Sequence, residues 1–389
     1  MTERGPLDGV RVLDFSTVGP AARSARWLAD YGADVIKIGA PARAGAVQIE
    51  PVFYAYSAHR GMRRIRLDLK ADEGQAAFLR LAESADVVIE SFRPGVVDRL
   101  GIGYDAVKAV NPGIVYCSTS GYGQTGPRAQ WAGHDLNYLA VGGYLDCSGR
   151  SPEGGPALPG ATIADSAGGG MQAVMGILAA LVQREATGEG QHLDVAAADG
   201  VLALMSLYVE QHLATGDEPG PRHDLLTGKY ACYDVYEAAD GGWLSVAAIE
   251  PHFWANLCRL LGHDEFAAHQ TDDARQDEIR AAFTVAFKAK TRDEWAAELG
   301  PADTCVAPVL TIAEVAADDQ YAARGAIVDA THPTEGEFRQ VGPVLAGQPG
   351  AGEAVTVPDW AETSTVEILT AAGYEAAEVE SLMAEGVIA

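Results

Sequence analysis

The first part of the chain alternates short β-branched, apolar runs with stretches in which apolar residues recur at helical spacing. Residues 10–15, 34–38, 86–90 and 114–119 read as strands, and residues 21–30, 72–84 and 104–110 as helices between them. Such alternation predicts a parallel, doubly wound sheet. In these sheets ligands sit outside the carboxyl ends of the strands, so the loops after Phe15, Glu90 and Thr119 are the places to look for chemistry.

After residue 213 the pattern changes. Residues 215–228 carry Gly216, Pro219, Gly220 and Pro221 and read as a linker or mobile loop. Residues 230–236 and 243–248 flank Asp240-Gly241-Gly242 as a β-hairpin. Thr291 with Glu294, and Thr311 with Glu314, have capping-box spacing, with a strand expected at 305–310 between them. Residues 327–346 read as irregular strands, and 366–372 and 376–384 as helix. The expected organisation is a large α/β domain over 1–213, a linker at 214–229, a small α+β domain over 230–325 and a C-terminal segment, 326–389.

The charge narrows the partners. Against 28 Lys and Arg stand 54 Asp and Glu, a formal net charge of -26, which repels nucleic-acid phosphates and anionic membrane surfaces. No nucleic acid and no membrane partner is expected. The apolar stretches 173–182 and 201–208 are too short to span a bilayer, and the polar N-terminal residues make a cytoplasmic location the expectation. Five cysteines, widely spaced and without a C-x-x-C, argue against a disulfide framework and a zinc site.

An anionic ligand must then be met by locally clustered basic residues. Ser91-Phe92-Arg93-Pro94-Gly95 follows one strand, with Arg99 beyond it, and Arg60, Arg63, Arg64 and Arg66 precede Leu67-Asp68-Leu69-Lys70. Guanidinium groups pair well with phosphate, although a solvated positive face fits the same composition. No G-x-G-x-x-G follows the first strand and no P-loop pattern occurs, which disfavours a nicotinamide cofactor or a bound nucleoside triphosphate.

The densest chemistry is Gly133-His134-Asp135, then Ala164-Asp165-Ser166 and Gly168-Gly169-Gly170 before an apolar helix over 171–182. An imidazole and a carboxyl can move a proton. A glycine-rich turn lets a ligand approach the main chain, and unpaired N–H groups at a helix start can hold developing negative oxygen. The bland alternative is that Asp165 is an ordinary N-cap and His134 a core histidine.

Motifs along nearly the whole chain carry a resemblance. Pro6-Leu7-Asp8-Gly9-Val10-Arg11-Val12-Leu13-Asp14, Gly32-Ala33-Asp34-Val35-Ile36-Lys37, Leu67-Asp68-Leu69-Lys70, Phe92-Arg93-Pro94-Gly95, Gly121-Tyr122-Gly123-Gln124-Thr125-Gly126-Pro127, Gly133-His134-Asp135 and Ala248-Ile249-Glu250-Pro251-His252-Phe253 occur in order. In these the chain resembles the family III CoA-transferases (CaiB/BaiF), and most of all their α-methylacyl-CoA racemase branch. The resemblance implies an acyl-CoA thioester ligand and a large Rossmann-like domain completed by the C-terminal segment. It also implies a small α+β domain, an interlocked homodimer, and no cofactor beyond the CoA of the substrate. Residue by residue, Leu67, Asp68, Leu69, Lys70, Ser91, Phe92, Arg93 and Arg99 match CoA-binding positions, and Gly133 and Tyr138 match the thioester end. His134 matches a catalytic base, Asp165 the opposing acid, and Glu250 the partner of the histidine.

The chemistry so implied is proton transfer at the α-carbon of a 2-methyl-branched acyl-CoA. The alternative is CoA transfer between carboxylic acids with Asp165 as nucleophile, and a third reading is a catalytically idle CoA-binding scaffold. Histidine after Gly133 favours the racemase. Two departures stand against a full match: Ala164-Asp165-Ser166-Ala167 replaces the Gly-Asp-Phe-Gly typical of racemases, and Gly39-Ala40-Pro41 lacks a CoA-binding arginine, which Lys37 or Arg43 would replace.

Overall fold

The computed structural model describes residues 5–41, 51–344 and 353–389; Arg43 lies outside them. The apolar runs of the first part become four parallel strands of a six-stranded sheet: β1 (Arg11–Asp14), β2 (Asp34–Gly39), β4 (Val87–Glu90) and β5 (Val115–Ser120). Two more, β3 (Met62–Arg66) and β6 (Gln191–Ala196), close its edges in the order β3-β2-β1-β4-β5-β6. All neighbours are parallel, as in a Rossmann-like sheet. The edge strands escape an apolar-run reading for a physical reason. MRRIR and QHLDVA each have only one neighbouring strand, so polar and charged side chains are tolerated on them.

Helix α1 (Gly19–Asp30) follows β1, α2 (Asp72–Ala82) follows β3, and α3 (Tyr104–Val110) follows β4. Between β5 and β6 lie α4 (Asp135–Val141) and a 24-residue helix, α5 (Ala164–Thr187). The C-terminal segment adds α6 (Thr365–Ala371) and α7 (Ala376–Ala384). Successive strand residues point to opposite faces. Leu13, Ile36 and Val88 therefore pack with Phe78 of α2 and with Leu369 and Leu382 of the C-terminal helices. Val12, Val35 and Ile89 pack with Leu28 of α1 and with Ala173 and Ile177 of α5.

Helix α5 corrects two expectations. The three glycines do not form a turn ahead of the helix. Residues 164–171 are a π-helical stretch leading without a break into the α-helical part, and Gly168, Gly169 and Gly170 are buried inside it. Their purpose is close packing: a Cβ on Gly169 would lie 2.6 Å from Pro20 and one on Gly170 2.9 Å from Trp27. The apolar stretch is also longer than it reads. By length and composition alone α5 is long enough to cross a membrane, while its Ala173, Val174, Ile177, Ala180 and Leu181 are buried against the sheet.

The arginine cluster is mostly structural. Arg60 grips Asp30 through both carboxylate oxygens, Arg63 pairs with Asp34 at 2.7 Å and with Glu367 at 3.2 Å, and Arg64 donates to the Trp360 carbonyl at 2.6 Å. These bonds tie the edge strand β3 to α1, β2 and the C-terminal segment.

The chain divides into two units, the first comprising Met1–Gly142, Pro159–Ser206 and Asp319–Ala389, the second Gly143–Leu158 and Leu207–Asp318. In the second, strand Tyr233–Glu237 pairs antiparallel with Trp243–Ala247, and Val306–Pro308 adds to the same sheet. Trp254, Leu257, Phe283, Phe287 and Trp295 form its core. Thr291 with Glu294 and Thr311 with Glu314 form the expected capping boxes.

Candidate active site

Strand order reverses between β1 and β4, so the loops leaving their carboxyl ends part and open a crevice. A cavity of about 300 Å³ lies there. Val18, Gly19 and Pro20 line it where the chain after β1 enters α1, Ser91 from the loop after β4, and Thr119, Ser120 and Gly121 from the end of β5. Tyr56, Gly133, His134, Tyr138 and Asp165 complete the wall. A second cavity of about 400 Å³ shares Ser91, Ser120, Gly121, Gly133, His134 and Tyr138 and continues over Phe92, Arg93 and Trp131. His134 thus stands where the two meet, and Asp165 faces the first.

His134 is the N-cap residue of α4, with extended backbone, and its N–H donates to Asn137 Oδ1 at 3.0 Å. One turn on, the Tyr138 hydroxyl donates to the Gly133 carbonyl at 2.6 Å. The Tyr138 ring occupies the space a side chain at Gly121 or Gly133 would need, 2.4 and 2.7 Å from their ideal Cβ positions. Both glycines are therefore required to seat the ring that fixes the loop before His134. Burial first, and nearby Asp165 next, push the Tyr138 phenol up to about 12, so it stays a neutral donor.

Asp165 is not an N-cap: the residue before it is already helical and it belongs to the first turn of α5. Asp135, the neighbour of His134, accepts the Asp165 backbone N–H on Oδ1 at 2.8 Å, and Ser166 donates to the Thr162 carbonyl. These two N–H groups are therefore not available to a substrate oxygen, contrary to the expectation from sequence. Burial raises the Asp165 carboxyl above its usual range and the charge of Asp135 adds to this; Arg23 and His134 act in the opposite sense. The outcome is a carboxyl that holds a proton more tightly than a free aspartate, as a proton donor must. Asp135, named in sequence only as part of Gly133-His134-Asp135 and given no role there, is the residue that ties the His134 loop to the start of α5.

Glu90 shapes the wall without lining it. Its Oε2 accepts the Phe92 N–H at 2.7 Å, which turns the chain after β4 so that Ser91 and Arg93 face the cavities. Burial pushes the Glu90 carboxyl up to about 7, partly offset by hydrogen bonds from Ser118 and Phe92. Between the unfolded value near 4.5 and the folded value near 7 the native state binds the extra proton, so stability falls as pH rises through that window. A shift of this size corresponds to about 3 kcal/mol. Glu90→Gln, neutral at every pH, is expected to match the parent at pH 4.5 in urea unfolding and to exceed it by up to that amount at pH 8. An unfolding difference independent of pH would contradict the account.

Beside the crevice is a small space of about 40 Å³ lined by Ser16, Lys37, Gly39, His59, Arg64 and Trp360 among others. Lys37 is buried and bound to Asp14 at 2.6 Å, so its charge is neutralised in place. The Arg64 guanidinium reaches over Gly39, 3.4 Å from where a side chain there would begin. His59 Nδ1 and Trp360 Nε1 are buried with no partner. The segment entering this space is conformationally unusual: Tyr56, Ser57, Ala58 and His59 all have φ between 50° and 54°. A left-handed turn without glycine costs roughly 1–2 kcal/mol per residue. It is held by Gly19 N–H donating to Tyr56 Oη at 3.0 Å, by the Tyr56 ring against the Arg23 guanidinium, by His59 packed edge-on against Trp360, and by the Arg60 grip on Asp30.

Of the positions singled out from sequence, Ser91, Phe92, Arg93, Gly133, His134, Tyr138 and Asp165 come together around the two cavities. Arg93 has no ion-pair partner among the described residues, so its charge is open to a ligand. Leu67, Asp68, Leu69, Lys70 and Arg99 do not line either cavity. Leu67 is buried in the core, bridged to Ile388, and Asp68 N–H donates to the Val387 carbonyl; the C-terminal residues clamp this stretch. Leu69 packs against the same core, the Lys70 N–H donates to Asp68 Oδ1, and Arg99 ends the short helix Val96–Arg99. Glu250 precedes the helix Pro251–Leu260 in the second unit. Among the described residues no group of His, Cys, Asp or Glu is placed to hold a metal ion.

Comparison with known proteins gives the family. A family model described as CoA-transferase family III matches residues 7–358. The human alpha-methylacyl-CoA racemase is 34% identical over 385 residues, 98% of this chain and 97% of the relative. An acetyl-CoA:oxalate CoA-transferase of Acetobacter aceti is also 34% identical, over 84% of this chain and 86% of its own. A crystal structure of a CaiB/BaiF family protein from Brucella suis superposes with a TM-score of 0.72 at 32% identity, covering 88% of this chain and 93% of that one.

Proposed function

The chain belongs to CoA-transferase family III, and from that premise we propose that it is an acyl-CoA racemase, moving a proton between the two faces of the α-carbon of a 2-methyl-branched acyl-CoA. The observation that carries the proposal is that His134 and Asp165, some thirty residues apart in sequence, line one cavity at the strand crossover of the sheet. His134 takes the α-proton from one face; the C–H pair moves into the thioester as an enolate. Protonated Asp165 then delivers its proton to the opposite face, forming the new C–H bond and leaving an imidazolium and a carboxylate. Exchange with solvent restores both groups. The raised Asp165 carboxyl supports the donor role, and no group other than the CoA thioester is needed.

The CoA arm is assigned to the second cavity, along Phe92, Arg93 and Trp131. Its charged end is assigned to Arg93 and to Arg64, which reaches over Gly39 where the family's arginine is missing. In a chain of net charge -26 these cations offset the repulsion that a phosphate would meet. An interlocked homodimer is part of the same reading; exposed Met171, Met175 and Val182 on α5 give it an apolar face to cover.

CoA transfer is the second reading, favoured by relatives such as the Acetobacter transferase at equal identity. There Asp165 would attack the thioester carbonyl, expelling the CoA thiolate and forming a mixed anhydride; the thiolate would attack the aspartyl carbonyl, freeing the first acid and leaving CoA on Asp165, and the acceptor carboxylate would take the CoA through a second anhydride that restores the aspartate. Incubation with one epimer of a 2-methylacyl-CoA in deuterated water separates the two. Deuterium at C2 with loss of optical purity is expected; transfer of CoA to added succinate without C2 labelling would replace the racemase with the transferase.

A further inference from the structure

Either reaction puts negative charge on the thioester oxygen, and a donor must meet it. The Asp165 and Ser166 N–H groups at the start of α5 are committed to Asp135 and to the Thr162 carbonyl. Among the side chains lining the cavity, the Tyr138 hydroxyl is spent on the Gly133 carbonyl and that of Thr119 on the Glu90 carbonyl. Ser91 is exposed, and Ser120 Oγ accepts the Gly123 N–H.

Tyr56 is different. Its Oη accepts the Gly19 N–H at 3.0 Å, which leaves the phenolic hydrogen free, and no acceptor for that hydrogen is found among the described residues. The side chain lines the cavity that His134 and Asp165 line. It is also held from three directions: by the left-handed backbone at φ 50°, by the Gly19 bond, and by the Arg23 guanidinium 5.3 Å from its ring centroid. A donor fixed before the reaction is what electrostatic stabilisation of a developing oxyanion requires. The strained turn gains a purpose on the same ground, since strain retained beside a cavity holds a side chain where relaxed backbone would not.

We infer that Tyr56 donates its phenolic hydrogen bond to the carbonyl oxygen of the bound acyl-CoA thioester, and that the left-handed turn 56–59 exists to aim it there. The inference rests on the acyl-CoA reading above but not on which reaction follows, because enolate and tetrahedral intermediate alike place charge on that oxygen.

The test compares two ligands by calorimetric titration: isobutyryl-CoA, and S-isobutyl-CoA, a thioether with no carbonyl oxygen. Tyr56→Phe is expected to weaken isobutyryl-CoA about tenfold and to leave the thioether unchanged, while α-proton exchange falls on the order of 100-fold. Unchanged thioether binding shows that the variant is folded and that capping of α1 is not the cause. If Tyr56→Phe keeps the parental preference for thioester over thioether, or if Ser120→Ala alone abolishes it, the inference falls and the acyl-CoA reading stands. If the parent binds neither ligand, the acyl-CoA reading falls and takes the inference with it.

Discussion

With His134→Ala and Asp165→Asn, racemisation of a 2-methylacyl-CoA is expected to fall by two to four orders of magnitude in each variant, but the residual chemistry should differ. Each side chain serves one face of the α-carbon. His134→Ala keeps only the Asp165 side, so deuterium enters from one epimer; Asp165→Asn keeps only the His134 side, so it enters from the other. A proton removed on one face then has no partner to be returned on the opposite face, and exchange continues without inversion. Chiral analysis and mass spectrometry of recovered acyl-CoA read both quantities in one experiment. That both residues line the same cavity makes the split possible. A His134→Ala protein that exchanges both epimers at the parental rate would remove the imidazole from the mechanism. One that loses exchange but keeps full CoA transfer to a free acid, with Asp165→Asn inactive in everything, would make Asp165 a nucleophile.

The sequence made four of the six strands legible because β1, β2, β4 and β5 are covered on both faces, so that apolar runs fill their middles and polar residues fall mostly towards their ends. The edge strands β3 and β6 were not, since Arg63, Arg64 and Arg66, or His192 and Asp194, carry no strand signal of their own; only pairing with β2 and β5 makes them strands. The same blindness governed the arginines. Four of them in seven residues look like an anion site until the structure shows Asp30 and Asp34 already holding two. In the site, Gly133-His134-Asp135 and Asp165 stood out by chemistry alone. The role of Asp135 did not, because a carboxylate that accepts a backbone N–H thirty residues away leaves no trace in spacing. Nor did Tyr56: nothing in Tyr56-Ser57-Ala58-His59 announces a left-handed turn, which exists only because Gly19, Arg23, Asp30 and Trp360 surround it.

Gly200→Ala is expected to be among the most damaging small substitutions in the chain, and its sign separates packing from propensity. Gly200 lies in the helix Ala197–Leu204, where helix propensity alone would make alanine more stable by about 1 kcal/mol. The neighbouring element forbids it. A Cβ on Gly200 would fall 1.7 Å from the carbonyl oxygen of Gly168 and 2.4 Å from its carbonyl carbon, and both atoms are backbone, with no side-chain torsion to relieve the clash. The π-helical start of α5 must therefore move away, at a cost of about 3 kcal/mol or more, so the midpoint of thermal unfolding should drop clearly. Because that start carries Asp165 three residues before Gly168, activity should fall further than the loss of folded protein explains, when both are measured well below the transition. Gly168→Ala, whose nearest obstacle is the Ala197 carbonyl at 2.9 Å, should show the same coupling in milder form. A Gly200→Ala protein with parental melting and parental exchange would mean that the close contact between these two helices does not set the position of the acid.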